Sequence, residues 1–216
     1  CNLLPGPPAY ASTANNDCLN QDLEFANALL DERGFIDEDG DGIREANGIP
    51  MTIVFQTSTN AIRQQSQELI AAWWAAIGVK AELRNVDAAT FFGNQADPNS
   101  YTNFYADVQM YTNGTLEADP QTYLETWLTT EINGSGSNAV GRNIPRWYSE
   151  EYDALYAELT QTADLTRRAE LVKAMNDLVV QSGVIIPLVQ RGLVSAHANT
   201  LLGVRMNRWD SELWNI

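Results

Sequence analysis

The order strand, long helix, strand in the middle of the chain most constrains its fold. Residues 51–56 carry the β-branched side chains typical of a strand. Residues 79–86 alternate between apolar and polar side chains, which also predicts a strand. Between these strands, residues 61–77 predict an amphipathic helix that ends at Gly78 and whose apolar stripe consists of Ile62, Leu69, Ile70, Trp73 and Ile77. Because parallel strands need a long crossover, this order predicts a right-handed parallel β-α-β unit.

The remaining periodicity predicts helices and strands on both sides of that unit. Helices are expected over residues 21–33, 88–93, 120–127, 149–160 and 165–181. Further strands are expected over residues 104–112 and 184–189, and Pro187 indicates an edge or a bend in the second of them. The fold class is therefore α/β, with a mixed β-sheet flanked by helices and a single domain over residues 1–216.

Charge and hydropathy exclude several classes of protein. The chain has 13 basic and 28 acidic residues, which give a formal net charge of −15. Such a charge repels phosphate backbones and anionic lipid surfaces, so we expect no nucleic-acid partner. No run of about 18 consecutive apolar residues is present, so no segment is expected to span a membrane.

The sequence contains only weak indications of a catalytic site. His197 is the one histidine of the chain, and no catalytic motif surrounds it. Glu117 and Asp119 could form an acid–base pair of a carboxylate-dependent hydrolase. However, Asp119 stands directly before Pro120 and is expected to cap the helix that starts there. We therefore expect a protein that is not an enzyme, with no catalytic residues and no cofactor; a structural calcium ion is left open as an alternative.

The chain contains two cysteines, Cys1 and Cys18. We expect them to form a disulfide, which suits an oxidising compartment, and closure of this loop stabilises a fold by about 3 kcal/mol. Two free thiols are the alternative. A mature lipoprotein also begins with cysteine, but residues 2–8 form a proline-rich, partly apolar segment rather than a polar tether.

An acidic turn, residues 37–45, is the sharpest local motif. Asp37, Asp39 and Asp41 alternate and precede Gly42, which matches the first half of an EF-hand calcium loop. The second half differs, because Gly48 stands where the bidentate glutamate belongs. Glu45 could donate an oxygen, but from a position outside the EF-hand spacing. The alternative is a tight Asp-Gly turn that is stabilised by side-chain to backbone hydrogen bonds.

An aromatic pair, Trp147 and Tyr148, follows a Gly- and Asn-containing loop with two arginines. Such a pair can form the wall of a ligand cleft. The alternative is a hydrophobic contact that fixes the entry into the helix starting at Ser149.

Several segments together resemble the bacterial extracellular solute-binding proteins of family 5, the peptide- and nickel-binding proteins of ABC importers. The similarity extends along almost the whole chain, over residues 26–35, 39–45, 75–83, 118–120, 123–124, 151–155, 168–171 and 185–188. It implies a lobe of the type II periplasmic-binding-protein fold. The chain would be the C-terminal ligand-binding lobe of a two-lobe protein whose N-terminal lobe is absent, so that Cys1 is an internal residue of the parent.

The resemblance also implies a function. The chain would belong to a monomeric, periplasmic or extracellular component of an ABC importer, attached to the membrane through the missing N-terminal part. Its partners would be a peptide or other small solute and the membrane permease. The alternatives are a calcium-stabilised extracellular structural or adhesion module, through Asp37, Asp39 and Asp41, and the hydrolase described above.

The resemblance implies a location for the ligand. The family's peptide binders carry an aspartate before the Asp-Pro pair that anchors the peptide amine, and Leu116 stands at that position with Glu117 beside it. The carboxylate is therefore either lost or shifted by one residue, and Glu117 substitutes for it if the loop differs in length from that of the family. The full set of expected ligand-binding residues is Tyr111, Thr112, Asn113, Gly114, Glu117 and Trp147.

Overall fold

A computed structural model describes residues 1–4, 6–93, 95–114, 117–132, 134, 141–190 and 196–205. The chain divides into two compact units. We call Asn20–Thr112 the sheet unit, and Cys1–Leu19 together with Asn113–Ile216 the helical unit. A lobe can hold more than one compact unit, so the expectation of a single lobe over residues 1–216 stays a prediction.

The sheet unit combines a small parallel sheet with helices. Its elements are α1 (Leu23–Glu32), β1 (Glu45–Ala46), β2 (Ile49–Pro50), β3 (Thr52–Ser58), α2 (Ala61–Ala75), β4 (Lys80–Val86), α3 (Ala88–Phe91) and β5 (Val108–Met110). The strand order is β4-β3-β5, with β3 parallel to both neighbours, while β1 and β2 form a separate antiparallel pair. The predicted parallel β-α-β unit is therefore confirmed.

Local sequence explains where α2 begins and ends. The side chain of Asn60 accepts hydrogen bonds from the backbone N–H groups of Ile62 and Arg63, at 3.1 and 3.3 Å. At the other end, Gly78 has a φ of +78°, which a residue with a side chain rarely adopts. These two signals set the length of the crossover between β3 and β4.

The buried face of α2 differs from the predicted apolar stripe. Ile70 and Gln67 are buried, and the Trp74 ring lies 5.2 Å from that of Phe55. Three residues of the predicted stripe are exposed instead: Ile62, Leu69 and Trp73. The prediction of the stripe is confirmed for Ile70 and wrong for the three exposed residues. A polar residue lies on the buried face instead, where Gln67 Nε2 donates to the Phe55 carbonyl at 2.5 Å.

The strand predicted over residues 104–112 is shorter than expected. Phe104 has a φ of +50°, in the left-handed region, and this conformation interrupts an extended run. Asp107 then begins the pairing with β3, since its N–H donates to the Val54 carbonyl and its carboxylate accepts from the Val54 N–H. Only Val108–Met110 forms β5.

The helical unit contains α4 (Gln121–Leu124), α5 (Glu150–Gln161) and α6 (Leu165–Gln181), with 3-10 turns at Asn16–Leu19, Glu125–Trp127 and Thr129–Glu131. Ser149 caps α5 and Asp164 caps α6 through their side chains, which confirms the two predicted helices. These helices enclose one hydrophobic core, formed by Leu4, Tyr123, Leu124, Trp127, Tyr152, Leu159, Leu171, Val172, Met175 and Val179.

The predicted disulfide between Cys1 and Cys18 is present, with 5.9 Å between the two Cα atoms. The segment that it closes lies against α6. The Leu3 N–H donates to Asn176 Oδ1 at 2.8 Å, and Asn15 Nδ2 donates to Asp177 Oδ1 at 2.8 Å. The disulfide therefore closes the segment, and these hydrogen bonds hold it against α6.

The strand predicted over residues 184–189 was wrong. These residues are described and are not in a strand. Val184 and Ile185 pack against the helical core, while Ile186, Leu188 and Val189 are exposed. Pro187 has no N–H to donate to a neighbouring strand, which favours this outcome.

None of the described helices is long and apolar enough to cross a membrane.

Candidate functional site

The carboxyl edge of the parallel sheet is where a ligand site is expected in an open α/β fold. Here β3 ends at Ser58, β4 at Val86 and β5 at Met110. Tyr111 and Thr112 follow β5 directly, so the structure places these two predicted residues at that edge. Tyr111 is half-buried and Thr112 is exposed.

Four aromatic rings lie together beside this edge, and we call them the edge aromatic cluster: Phe91, Phe92, Tyr101 and Tyr111. The Phe91 and Phe92 rings are 4.8 Å apart, Phe92 and Tyr101 are 5.6 Å apart, and Tyr101 and Tyr111 are 5.2 Å apart. Phe91 is fully buried, whereas Phe92 is 45% exposed. The cluster is thus anchored in the unit and opens to solvent on one side.

An arginine lies on the exposed ring of this cluster. Cζ of Arg63 is 5.4 Å from the centroid of the Phe92 ring, which is the distance of a cation–π contact. Nη1 of Arg63 also donates a hydrogen bond to Oγ of Ser58, the last residue of β3. Sequence reasoning missed Arg63, Phe92 and Tyr101, because their proximity depends on how α2 and α3 pack and no local motif marks it.

The other predicted ligand residues belong to the helical unit. Asn113 and Gly114 are exposed, and Asn113 Oδ1 accepts from the Gly114 N–H at 2.9 Å. Glu117 is exposed as well. Leu116, the position of the family's amine anchor, lies outside the described residues. The binding roles of these residues stay predictions.

Trp147 packs against the core of the helical unit. Its ring is 5.2 Å from that of Tyr152 in an edge-to-face arrangement, and the residue is half-buried. Its backbone is held by the buried Asn143, whose Oδ1 accepts from the Trp147 N–H at 3.0 Å. This packing is of the kind expected for the helix-entry alternative, and a role as the wall of a ligand cleft stays a prediction.

Asp119 has the local structural role that its sequence position predicts. Oδ1 accepts a hydrogen bond from the Gln121 N–H at the start of α4, at 3.0 Å. Oδ2 accepts from Arg168 Nη2 at 2.6 Å, which ties α4 to α6. Both carboxylate oxygens therefore serve the fold.

The acidic turn brings four carboxylates together. One oxygen from each of Asp37, Asp39, Asp41 and Glu45 lies within 4.8 Å of the others. Glu45, which stands outside the EF-hand spacing, supplies one of these oxygens. The Glu45 N–H donates to the Ile36 carbonyl at 2.8 Å, and this isolated bridge folds the chain back over the turn.

Carboxylates of the turn accept hydrogen bonds from backbone N–H groups. Asp37 accepts from Gly40 and Gly42 at 2.8 and 2.9 Å, and Asp41 accepts from the N–H of Ile43 at 2.7 Å. These are the hydrogen bonds expected for the tight-turn alternative. Calcium binding by the turn stays a prediction.

A surface hollow of about 390 Å³ lies beside the turn, and Arg44 is one of the residues that line it. Nε of Arg44 donates to the Ile77 carbonyl at 2.9 Å, and Nη2 donates to Asn27 Oδ1 at 2.9 Å. Nη1 pairs with Asp31 at 2.5 Å. Because its guanidinium joins α1 to the turn after α2, we assign Arg44 to the fold rather than to a ligand site.

Comparison with known proteins places this architecture in a family. The profile described as "Bacterial extracellular solute-binding proteins, family 5 Middle" matches residues 2–135. The glutathione-binding protein GsiB of Shigella flexneri is 26% identical over 206 residues, which cover 91% of this chain and 35% of the relative. The chain therefore spans about a third of the length of the curated relatives it matches.

Solved structures share the fold. The mannohexaose-bound oligopeptide ABC transporter periplasmic oligopeptide-binding protein of Thermotoga maritima aligns with a TM-score of 0.69 and 22% identity, covering 86% of this chain and 34% of its own. The oligopeptide-binding protein of Thermus thermophilus, complexed with a pentapeptide, aligns with a TM-score of 0.66 and 20% identity, covering 83% and 31%. The expected type II periplasmic-binding-protein fold is confirmed. The chain belongs to the bacterial extracellular solute-binding proteins of family 5.

Proposed function

We propose that this chain is the C-terminal ligand-binding lobe of the solute-binding component of an ABC-type importer, and that the solute is a peptide. The observation that carries this proposal is the family match over residues 2–135, joined to a fold shared with oligopeptide-binding proteins over most of the chain. The partner is the importer's membrane permease. The location is periplasmic or extracellular, and the protein acts as a monomer.

The proposed mechanism is binding rather than chemistry. A two-lobe protein closes because the solute contacts both lobes in the closed state only, and the permease recognises that state. A single lobe keeps only part of these contacts while the cost of ordering the solute remains. The isolated chain should therefore bind peptides weakly.

The proposed contacts on this lobe use the predicted residues. Tyr111 to Gly114 would bind the peptide backbone, because they follow β5 at the carboxyl edge of the sheet and include exposed polar groups. Glu117 would bind the peptide amine in place of the family's aspartate. Trp147 would contact a peptide side chain.

The first experiment is native mass spectrometry of the intact two-lobe parent, purified without refolding. We expect co-purified masses that form a ladder spaced by amino-acid residues, which is the signature of a sequence-tolerant peptide binder. One discrete added mass would contradict the peptide assignment and indicate a dedicated solute.

The second experiment tests Glu117 in the same parent. Glu117→Gln should weaken binding of a peptide with a free amine about tenfold, since one charge-assisted contact is lost, and should leave an N-acetylated peptide unaffected. Glu38→Gln, at an exposed glutamate of the sheet unit, is the matched control. Equal effects of Glu117→Gln on both peptides would exclude it as the amine ligand.

A further inference from the structure

We propose that β4 pairs edge to edge with β4 of a second copy of this chain, as an antiparallel pair centred on Leu83. The proposal goes beyond the proposed function, in which each copy binds its solute as a monomer, and neither proposal depends on the other. It assigns an interaction surface to a strand that the proposed solute contacts do not use.

The outer edge of β4 is available for pairing. In the sheet order β4-β3-β5, β4 has β3 on one side and, among the residues that the structure describes, no strand on the other. All 7 residues of β4 are in register with β3, and Glu82 to Asn85 are exposed. Exposed edge strands of this length are templates for pairing with another chain.

The backbone of β4 offers donors and acceptors on this outer edge. The Lys80 N–H donates to the Met51 carbonyl at 2.9 Å, and the Val86 carbonyl accepts from the Thr59 N–H at 2.7 Å. Peptide groups alternate in direction along a strand, so the even-numbered residues of β4 point their N–H and C=O groups towards β3. The odd-numbered residues, with Leu83 at their centre, point theirs outwards. Leu83 can therefore exchange two hydrogen bonds with Leu83 of a second copy.

The charges of β4 make the edge complementary to itself. Lys80, Glu82 and Arg84 alternate in sign at every second position and so share one face of the strand. In the described part of the chain none of the three is in an ion pair. In an antiparallel pair centred on Leu83, Glu82 of each copy lies opposite Arg84 of the other. These are non-hydrogen-bonded positions, where opposite residues approach most closely, with about 4.5 Å between Cα atoms.

The charge pattern selects this register. Centring the pair on Glu82 or on Arg84 would place like charges opposite each other. Centring it on Ala81 would bring opposite charges together but would extend the pairing beyond the strand, onto the turn after α2. The register centred on Leu83 pairs the whole of Lys80–Val86, and the charges that it places opposite each other differ in sign. Leu83, which is 40% exposed, then contacts its own copy across the two-fold axis.

The first test is sedimentation equilibrium of the full chain in about 0.15 M salt, where a Debye length of about 8 Å screens the net charge of −15 on each copy. We expect the average mass to rise with concentration towards twice that of one chain. Half of the chains should be paired at about 0.1–1 mM, because one strand pair is smaller than a standard interface of about 1,600 Å².

Charge-reversal variants test the contact between Glu82 and Arg84. Glu82→Arg and Arg84→Glu should each raise the dissociation constant at least about tenfold, because each places like charges opposite each other. An equimolar mixture of the two variants should associate about as tightly as the wild-type chain, since opposite charges then face each other again. Misfolding of either variant cannot produce this rescue.

Two controls test the register. Lys80→Glu makes the same change in net charge as Arg84→Glu, but it lies opposite Val86, so the dissociation constant should change less than about twofold. Leu83→Cys should form an intermolecular disulfide, because Cα atoms of a hydrogen-bonded antiparallel pair lie about 5.5 Å apart, within disulfide range. Ala81→Cys lies opposite Asn85 and should not form one.

Each contrary result has a definite meaning. A wild-type chain that stays monomeric up to about 1 mM would overturn the pairing, as would a mixture of the two charge-reversal variants that fails to associate. Equal losses with Lys80→Glu and Arg84→Glu would overturn the register centred on Leu83. None of these results changes the mass ladder expected from the two-lobe parent, so this proposal and the proposed function fail separately.

Discussion

The helical unit and the sheet unit bury their apolar side chains differently. In the helical unit, Tyr152, Leu159 and Val172 are completely buried in one continuous core. In the sheet unit, Phe55 and Phe91 are buried, but large apolar residues of α2 and β4 are exposed, namely Ile62, Leu69, Trp73 and Leu83. Core packing is therefore concentrated in one unit, while the other presents the carboxyl edge of the sheet and the edge aromatic cluster.

This difference has a physical consequence. Stability from apolar burial scales with the area removed from water, so the helical unit should tolerate core truncation least. The stability of the sheet unit depends more on local interactions, such as helix caps, tight turns and the hydrogen bonds of Arg44. Substitutions in each unit can test whether stability from apolar burial and stability from local interactions are separate.

The largest effect is expected from truncation in the helical core. Leu159→Ala should lower the free energy of unfolding by about 3 kcal/mol, because a fully buried leucine leaves a cavity. Leu69→Ala, at a leucine that is 56% exposed in the sheet unit, is the matched control and should cost less than about 1 kcal/mol. Urea denaturation measures both, and similar costs would contradict the comparison.

A second prediction concerns alkaline pH. Burial raises the pKa of Tyr123 from 10.0 to about 12, and burial also raises the pKa of Tyr152. Since the unfolded chain loses the tyrosine proton first, the stability contributed by neutral Tyr123 is complete below pH 10 and is lost as the pH rises towards 12. A shift of this size corresponds to roughly 3 kcal/mol.

The check is the urea midpoint measured between about pH 8 and 11.5, on both sides of the tyrosine pKa. Tyr123→Phe should make the decline with pH shallower. Tyr105→Phe, at a tyrosine that is 71% exposed in the sheet unit, should leave the pH profile unchanged. A wild-type profile that stays flat through this range would show that the buried tyrosines do not control alkaline stability.

A third prediction concerns the turn between α2 and β4. A Cβ at Gly78 would lie 2.6 Å from Cγ of Arg44, and φ there is +78°. Gly78→Ala should therefore cost about 2 kcal/mol or more, combining left-handed strain with displacement of Arg44. Gly34→Ala, at a φ of +81° with no heavy atom within 4 Å, should cost only the strain, about 1 kcal/mol. Thermal unfolding compares them, and equal losses would exclude a role for Arg44.

The smallest effect is expected in the acidic turn. Asp37→Ala removes the acceptor of two backbone N–H groups and should cost about 1 kcal/mol. Glu38→Ala, at the exposed neighbour, should cost close to nothing. If hydrogen bonds alone hold the turn, calcium leaves the Tm unchanged. A calcium-dependent rise in Tm that Asp37→Ala abolishes would show instead that the carboxylates bind the ion.

The sequence by itself determined the central β-α-β order, the long helices and the family. The order of β3, α2 and β4 follows from periodicity and from Gly78, and the starts of α2, α5 and α6 follow from the capping residues Asn60, Ser149 and Asp164. These signals are reliable because a cap or a glycine turn acts on backbone groups only a few residues away. The family resemblance is also built from short segments, each of which can be read from local sequence.

Only the tertiary structure decided which surfaces meet. It showed that α2 buries Gln67 beside Ile70 while most of the predicted stripe is exposed, and that Glu45 joins the acidic turn. It also brought Arg63 onto Phe92, two residues that are separated by the whole of β4. Such contacts depend on the packing of distant segments. Neither a hydrogen bond from a buried glutamine nor a ring beneath an arginine produces a periodic pattern in the sequence.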